Sequence, residues 1–516
     1  MQPIINYNPD VLTCLANLSN DEVFTPPSVV NQMLDQIPNE LWSDRNATFL
    51  DPVSKTGVFL REIAVRLNKG LESQIPDQQG RINHIYKNQL FGLAITELTS
   101  LLSRRGVYCS KTANGKYSIC TDFNDEQGNI RYERMEHTWL NGRCTYCGAS
   151  ESEYNREDAL ETYAYQFIHT NEPETFFNNM KFDVIIGNPP YQLSDGGAGA
   201  SAVPIYHKFV EQAKKMQPRY LSMIIPARWY VGGRGLDMFR SEMLNDERVR
   251  VIHDYRQSAE CFPGVEIKGG VMFFLWNRDN KGQAEIHSHH NGNVIVDTRP
   301  LLEKGMETFI RDSIAIKILS KIKKVTPEKL SSTLNAGRHF GFHTKIVWTD
   351  NINGTLQTAD GKSEYPVSKK QSKVMDTKVY IAHGECWISR KNVLKNSDDI
   401  DKYKVIIPRS GNPGGSIIGK PKVSEPGTCS SNTFIVYVFG KNQADKAKNL
   451  ISFLETRLVR YLVSLRTTTQ DMAPKSYDFV PAVDFSETWT DEKLYKMFKL
   501  TRDEIAFIEA IIPPMK

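Results

Sequence analysis

The 516-residue chain is too long for one compact core, so two or more domains are expected. Its composition, 40% hydrophobic and 24% charged, excludes a disordered or fibrous protein. No apolar run reaches the roughly 18 to 20 residues that cross a bilayer, and the polar start MQPIINYNPD is no signal sequence, so a cytoplasmic protein without a membrane partner is expected.

From Ala47 to about Asn277, short apolar runs alternate with amphipathic stretches. Strands are expected at TFLDP (from Thr48), QLFGLAI, FDVIIGN, YLSMIIP, VRVIHDY and VMFFLW. Helices are expected at VFLREIAVRL, TELTSLLSRR, PIYHKFVEQAKKM and LDMFRSEML, which place apolar residues at i, i+3 and i+4. Such alternation predicts a doubly wound α/β sheet, whose ligands sit at the carboxyl ends of its strands. A hairpin, AEIHSHHNGNVIVD, should close this domain near residue 310.

Three stretches lie where such a sheet presents chemistry. EVFTPPSVVNQMLDQI (from Glu22) opens a helix on Phe24, Thr25 and two prolines, where the Thr25 hydroxyl and free N–H groups can hold a carboxylate. LDPVSKTGVFL (from Leu50) reads as strand, acidic Asp51, tight turn with Gly57, then helix, which lets a nucleoside approach the backbone. FDVIIGNPPYQ ends a buried strand on Asn188, Pro189, Pro190 and Tyr191, a turn whose two prolines break the ladder. An amide oxygen and a rigid carbonyl can accept both hydrogens of a planar amino group and draw its nitrogen toward sp³ geometry, while Tyr191 offers a ring to stack on.

Residues 106–150 interrupt the alternation. GVYCSKTANGKYSIC reads as a hairpin turning at Asn114 and Gly115, and GNIRYERMEHTW as a further strand, together a small β insertion. Cys109 and Cys120 on that hairpin, with Cys144 and Cys147 in the knuckle RCTYCGAS, offer four thiolates to a structural zinc ion, with His137 an alternative for one of the first pair. Cys14, Cys261, Cys386 and Cys429 stand apart and should only be packed. GGAGASA, just after the NPPY turn, reads as a lid, a DNA-contacting loop or a plain linker.

Beyond Lys317 the texture changes to short β-like pieces followed by the helical QADKAKNLISFLETRLVRYLVSL. Residues 317–480 hold 27 Lys plus Arg against 14 Asp plus Glu, an imbalance that points to a polyanion such as double-stranded DNA. The Lys369–Lys378 run, PRSGNPGGSIIGKPK and SLRTTTQDMAPKSY are candidates to meet phosphates and base edges.

FTPP, then DPxxxxGxFL, then NPPY, then a basic C-terminal region, resembles the gamma-class N6-adenine DNA methyltransferases of restriction-modification systems, in particular the TaqI-like group. The resemblance implies a Rossmann-like fold with a mixed, mostly parallel seven-stranded sheet over residues 1–310, S-adenosylmethionine as cofactor, and a mixed α+β target-recognition domain over 311–516. It implies that Phe24, Thr25, Asp51, Gly57 and Asn188 serve the cofactor, that Asn188, Pro189, Pro190 and Tyr191 form the catalytic motif, and that Tyr191 and Phe262 wall a flipped adenine. Two positions depart from the family pattern: Lys55 stands where a glycine is usual, and Ala94 where an acidic residue would hold the ribose, with Glu97 three residues on. Thr170 is a candidate contact for the cofactor adenine. Other readings are a protein-glutamine methyltransferase, which uses the same NPPY turn, an N4-cytosine enzyme, or a catalytically weak DNA-binding subunit. Some 20 residues precede FTPP, so no fused nuclease is expected, and a restriction or helicase partner would be a separate polypeptide.

Overall fold

The computed structural model describes residues 23–155, 162–193, 203–233, 235–290, 292–412, 416–467 and 470–515. They belong to two compact units, Met1–Phe309 and Ile310–Lys516. Cys14 and the GGAGASA stretch lie outside the described residues.

The first unit is built on one sheet of nine strands: β1 Phe49–Ser54, β2 Leu90–Ala94, β3 Ile130–Arg131, β4 Val184–Gly187, β5 Tyr220–Pro226, β6 Val249–Tyr255, β7 Val271–Asn277, β8 Ala284–His290 and β9 Asn293–Arg299. Their spatial order is β9-β8-β6-β7-β5-β4-β1-β2-β3. The six strands read from apolar runs all form, and β1, β2, β4 and β5 are buried at every position because layers cover both faces. From β3 to β5 all pairings are parallel, whereas β7 runs antiparallel to both β5 and β6.

The expected seven strands become nine because the AEIHSHHNGNVIVD hairpin adds to the sheet. β8 pairs in parallel with β6, and β9 pairs antiparallel with β8 at the edge. Helices α1 Pro27–Leu34, α2 Val58–Gly70, α3 Gln78–Asn88, α4 Glu97–Tyr108, α5 Tyr206–Lys215 and α6 Asp237–Asn245 join the sheet layers. α2 shows why they pack: Phe59, Leu60, Ile63, Ala64 and Leu67 recur on one face and are all buried. α3 is an addition to the expected helices; its apolar positions are sparse, and Asp77 starts it by accepting the Gly80 N–H.

The β insertion is corrected. Val107 and Tyr108 end helix α4, Cys109 caps it with φ 62°, and no strand forms across Asn114 and Gly115. The helix wins because the apolar spacing of TELTSLLSRR continues through Val107 and Tyr108, both buried. Of GNIRYERMEHTW, only Ile130–Arg131 and Trp139 are extended. The first of these joins the main sheet beside β2, and the second begins a short hairpin, Trp139–Leu140 with Arg143–Cys144.

The second unit holds a six-stranded sheet and a three-stranded one, followed by helices. The single predicted helical stretch is two, Ala444–Glu455 and Arg457–Ser464. Thr456 is extended (φ −62°, ψ 151°), its hydroxyl accepts the Val459 N–H, and Asp491 accepts those of Arg457 and Leu458.

Candidate active site

β1 and β4 lie side by side, Leu50 opposite Ile185, so the turns that follow them meet. Gly187 ends β4 where a Cβ would come within 2.8 Å of the Asp51 carboxylate and 2.9 Å of Val53, so the close approach of the two turns requires glycine. Asn188 follows, 3% exposed. Its Nδ2 donates to the Val23 carbonyl (2.9 Å) and to the Thr25 hydroxyl (3.0 Å), which uses both amide hydrogens. Its Oδ1 is buried and, among the described residues, accepts no hydrogen bond. The amide is thereby held with its acceptor oxygen left for a donor that arrives from outside.

Lys55 explains the departure from glycine. Its Nζ donates to the same Val23 carbonyl (3.1 Å), so one backbone oxygen ties the turn after β1 to the Asn188 amide. Neither Lys55 nor Val23 is a site residue by motif, and only the unexpected cation in DPVSKTG signals them in the sequence. Asp51 is 2% exposed, and burial pushes its carboxyl up to about 7, against the opposing pull of the Val53 N–H and the Lys55 ammonium.

Gly57 has φ 74° and starts α2. A Cβ there would meet Val107 and Ser103 of α4, so this glycine permits helix packing as well as the turn. Phe24 is half-buried just before Thr25. Ala94 is buried at the end of β2, Glu97 is exposed, and the Thr170 carbonyl accepts from Gln212 (2.8 Å).

The Tyr191 hydroxyl is buried without a partner, and burial raises its phenol well above the ordinary value. Phe262, 1% exposed, belongs to the hydrophobic cluster against which Tyr191 packs, with no ring face open to solvent.

The four cysteines do not converge as expected. Cys144 and Cys147 meet His137 and His169, with all four ligand atoms within 4.8 Å of one another, an arrangement able to hold a metal ion. Cys109 is exposed at the end of α4, and Cys120 is buried beside Tyr86 and Tyr108, so neither joins the cluster. The hairpin that was to present them does not form. His169 escapes sequence reasoning because it lies 22 residues beyond Cys147, outside any compact ligand spacing. Cys261, Cys386 and Cys429 are buried thiols.

In the second unit, Lys369, Lys370, Lys373, Lys420 and Lys422 are solvent-accessible, and Lys369 lies over the Trp348 ring (4.7 Å). Lys378 is instead paired with Glu385 (2.9 Å), and Arg409 with Asp471 (3.0 Å). Among the described residues, no helix is long and apolar enough to cross a membrane.

Residues 88–262 match the family model of the Eco57I restriction-modification methylases. An "uncharacterized adenine-specific methylase" of Mycoplasma pneumoniae is 38% identical over 359 residues, 63% of this chain and 85% of that protein. Among solved structures, a DrdV–DNA complex aligns with 95% of this chain at 12% identity and a TM-score of 0.45. The type IIL restriction-modification enzyme MmeI bound to DNA aligns with 92% at 12% identity and a TM-score of 0.44. The chain spans 57% and 66% of the lengths of those two proteins.

Proposed function

The chain belongs to the adenine-specific DNA methylases of the restriction-modification type, and on that premise we propose how its residues do the work. The observation that carries the reading is the Asn188 amide, whose donors are anchored on Val23 and Thr25 while Oδ1 is left free and buried. Oδ1 and the Pro189 carbonyl accept the two N6 hydrogens of an adenine flipped out of duplex DNA. The nitrogen lone pair is then less delocalised into the ring and more nucleophilic. Tyr191 stacks on the base. A contact with Phe262 needs local opening, because that ring is buried.

S-adenosylmethionine fits the residues beside Asn188. Asp51 is a buried carboxylate whose ionised form lacks sufficient compensation, so it would welcome the α-ammonium of the methionine moiety. The Thr25 hydroxyl, which accepts from Asn188, keeps its own hydrogen for the carboxylate. The bound cofactor supplies an electrophilic methyl group on a sulfonium. Phe24, Asp51 and Gly57 shape its side of the site, and Lys55 holds the two turns in register.

The accessible lysines of the second unit, Lys369 beside Trp348 among them, can meet phosphates, and we assign target recognition to this unit. A structural zinc ion completes the proposed cofactor set. The protein acts in the cytoplasm. The test is methyl transfer in vitro from labelled cofactor to unmethylated duplex DNA, followed by nucleoside analysis. Label in N6-methyl-2′-deoxyadenosine supports the reading; label only in deoxycytidine or in protein overturns it.

A further inference from the structure

We infer that His137, Cys144, Cys147 and His169 form a tetrahedral zinc site that fastens the segment ending at His169, which is joined by packing to the turn that carries Tyr191. All four side chains are buried, and their ligand atoms already converge. Cys147 Sγ and His137 Nδ1 lie 3.4 Å apart. Bonds of about 2.0–2.3 Å give a tetrahedron with edges of about 3.3–3.8 Å, so this pair already matches and the widest, within 4.8 Å, closes by about 1 Å.

The two imidazoles are oriented as metal ligands are. His137 Nε2 lies 2.8 Å from the Thr162 carbonyl, and His169 Nδ1 lies 2.8 Å from the Tyr165 carbonyl. A carbonyl only accepts, so each of these nitrogens carries the hydrogen, and the other nitrogen of each ring turns a lone pair toward the sulfurs. His169 Nε2 is buried and, among the described residues, meets no well-formed hydrogen bond, facing only the thiols of the cluster, which is costly unless something binds there. Two thiolates and two neutral imidazoles balance a divalent cation, and a tetrahedral S₂N₂ set selects zinc among common metals.

The metal reaches the catalytic turn through packing. Gln166–Ile168 leads directly into His169, and Phe167 and Tyr165 pack on Phe209 of α5, at ring separations of 6.0 and 5.8 Å. Gln212 of the same helix donates to the Thr170 carbonyl. Just before α5, the Ile205 N–H donates to the Tyr191 carbonyl (3.2 Å). With the four ligands joined, this chain of contacts has a fixed foot; without the metal, the 162–170 segment holds only by packing and its few hydrogen bonds.

The test is metal analysis of the full chain purified without chelator, together with its cobalt(II)-substituted form. We expect one zinc per chain, and a cobalt spectrum with thiolate charge-transfer bands and tetrahedral d–d bands of high intensity. C109S and C120S should keep the full metal content, whereas C147S and H169A should lose at least half of it. Removing zinc should speed amide exchange over 162–170 and 206–215 while β1 and β4 stay protected. A metal ratio near zero, metal retained in H169A but lost in C120S, or exchange unchanged on metal removal would overturn the inference. None of these readouts depends on methyl transfer, so the site can fail or stand apart from the proposed reaction.

Discussion

Replacing Asn188 separates the role of its free oxygen from that of its anchors. Asn188→Ala removes Oδ1, the acceptor left without a partner, and also the two Nδ2 bonds to Val23 and Thr25. Loss of a preorganised acceptor of this kind costs about 2.7–4 kcal/mol in the transition state, so single-turnover methyl transfer should fall ~10²–10³-fold. Thr25→Val removes one neutral hydrogen bond to the amide and the proposed contact with the cofactor carboxylate, which saturating cofactor offsets, but no direct part in holding the adenine hydrogens. At about 0.5–1.5 kcal/mol, that anchor corresponds to a fall of roughly 2- to 12-fold. The assay is rapid-quench transfer of labelled methyl to unmethylated DNA at saturating cofactor, with cofactor affinity measured separately by calorimetry. An Asn188→Ala rate within about fivefold of wild type would refute the reasoning. So would a Thr25→Val rate as low as that of Asn188→Ala under saturating cofactor, because it would place the chemistry in the anchor.

Asp51 gives a pH prediction. Its folded pKa, about 7, lies above the ordinary value of 3.8, so between those values the folded chain holds more protons than the unfolded one. This group's contribution to stability therefore falls as pH rises from about 4 to 7, and Asp51→Asn should flatten the fall in Tm across that window; an identical slope would contradict it. Cofactor affinity should strengthen toward pH 7 as the carboxylate ionises, with proton release seen as a buffer-dependent binding enthalpy. Lys55→Met frees the Val23 carbonyl from one of its two donors and should weaken cofactor binding several-fold in titration calorimetry, with the melting temperature little changed. Lys369, Lys370 and Lys373 replaced together by Gln should weaken DNA binding and reduce the salt slope of log K by about 0.9 for each phosphate no longer neutralised. The same variant should bind cofactor normally, and an unchanged salt slope would exclude this patch.

The central strands of the first unit were legible because β1, β2, β4 and β5 are apolar runs buried at every position, and the NPPY turn because two prolines and a glycine leave few conformations. α3 escaped detection because its apolar face is thin, and the extra pair of strands because a hairpin does not reveal whether it joins a sheet. The site was legible as residues but not as a circuit. That Lys55 and Asn188 share the Val23 carbonyl depends on distances between segments 165 residues apart. The metal cluster shows the same limit: Cys-x-x-Cys was visible, but His169 reaches it only through the turn at Gln166–Ile168. Cys120 shows the converse, a plausible ligand by spacing that the continued helix α4 leaves elsewhere.

The central claim is that this chain methylates N6 of adenine in duplex DNA through Asn188. Expression in a host that lacks adenine methylation, followed by modification-sensitive sequencing, tests it most directly. The account predicts modified adenines within a single recurring sequence motif, and their disappearance with Asn188→Ala. Unmodified adenines in cells that contain the folded chain, or modification that persists in Asn188→Ala, would contradict it.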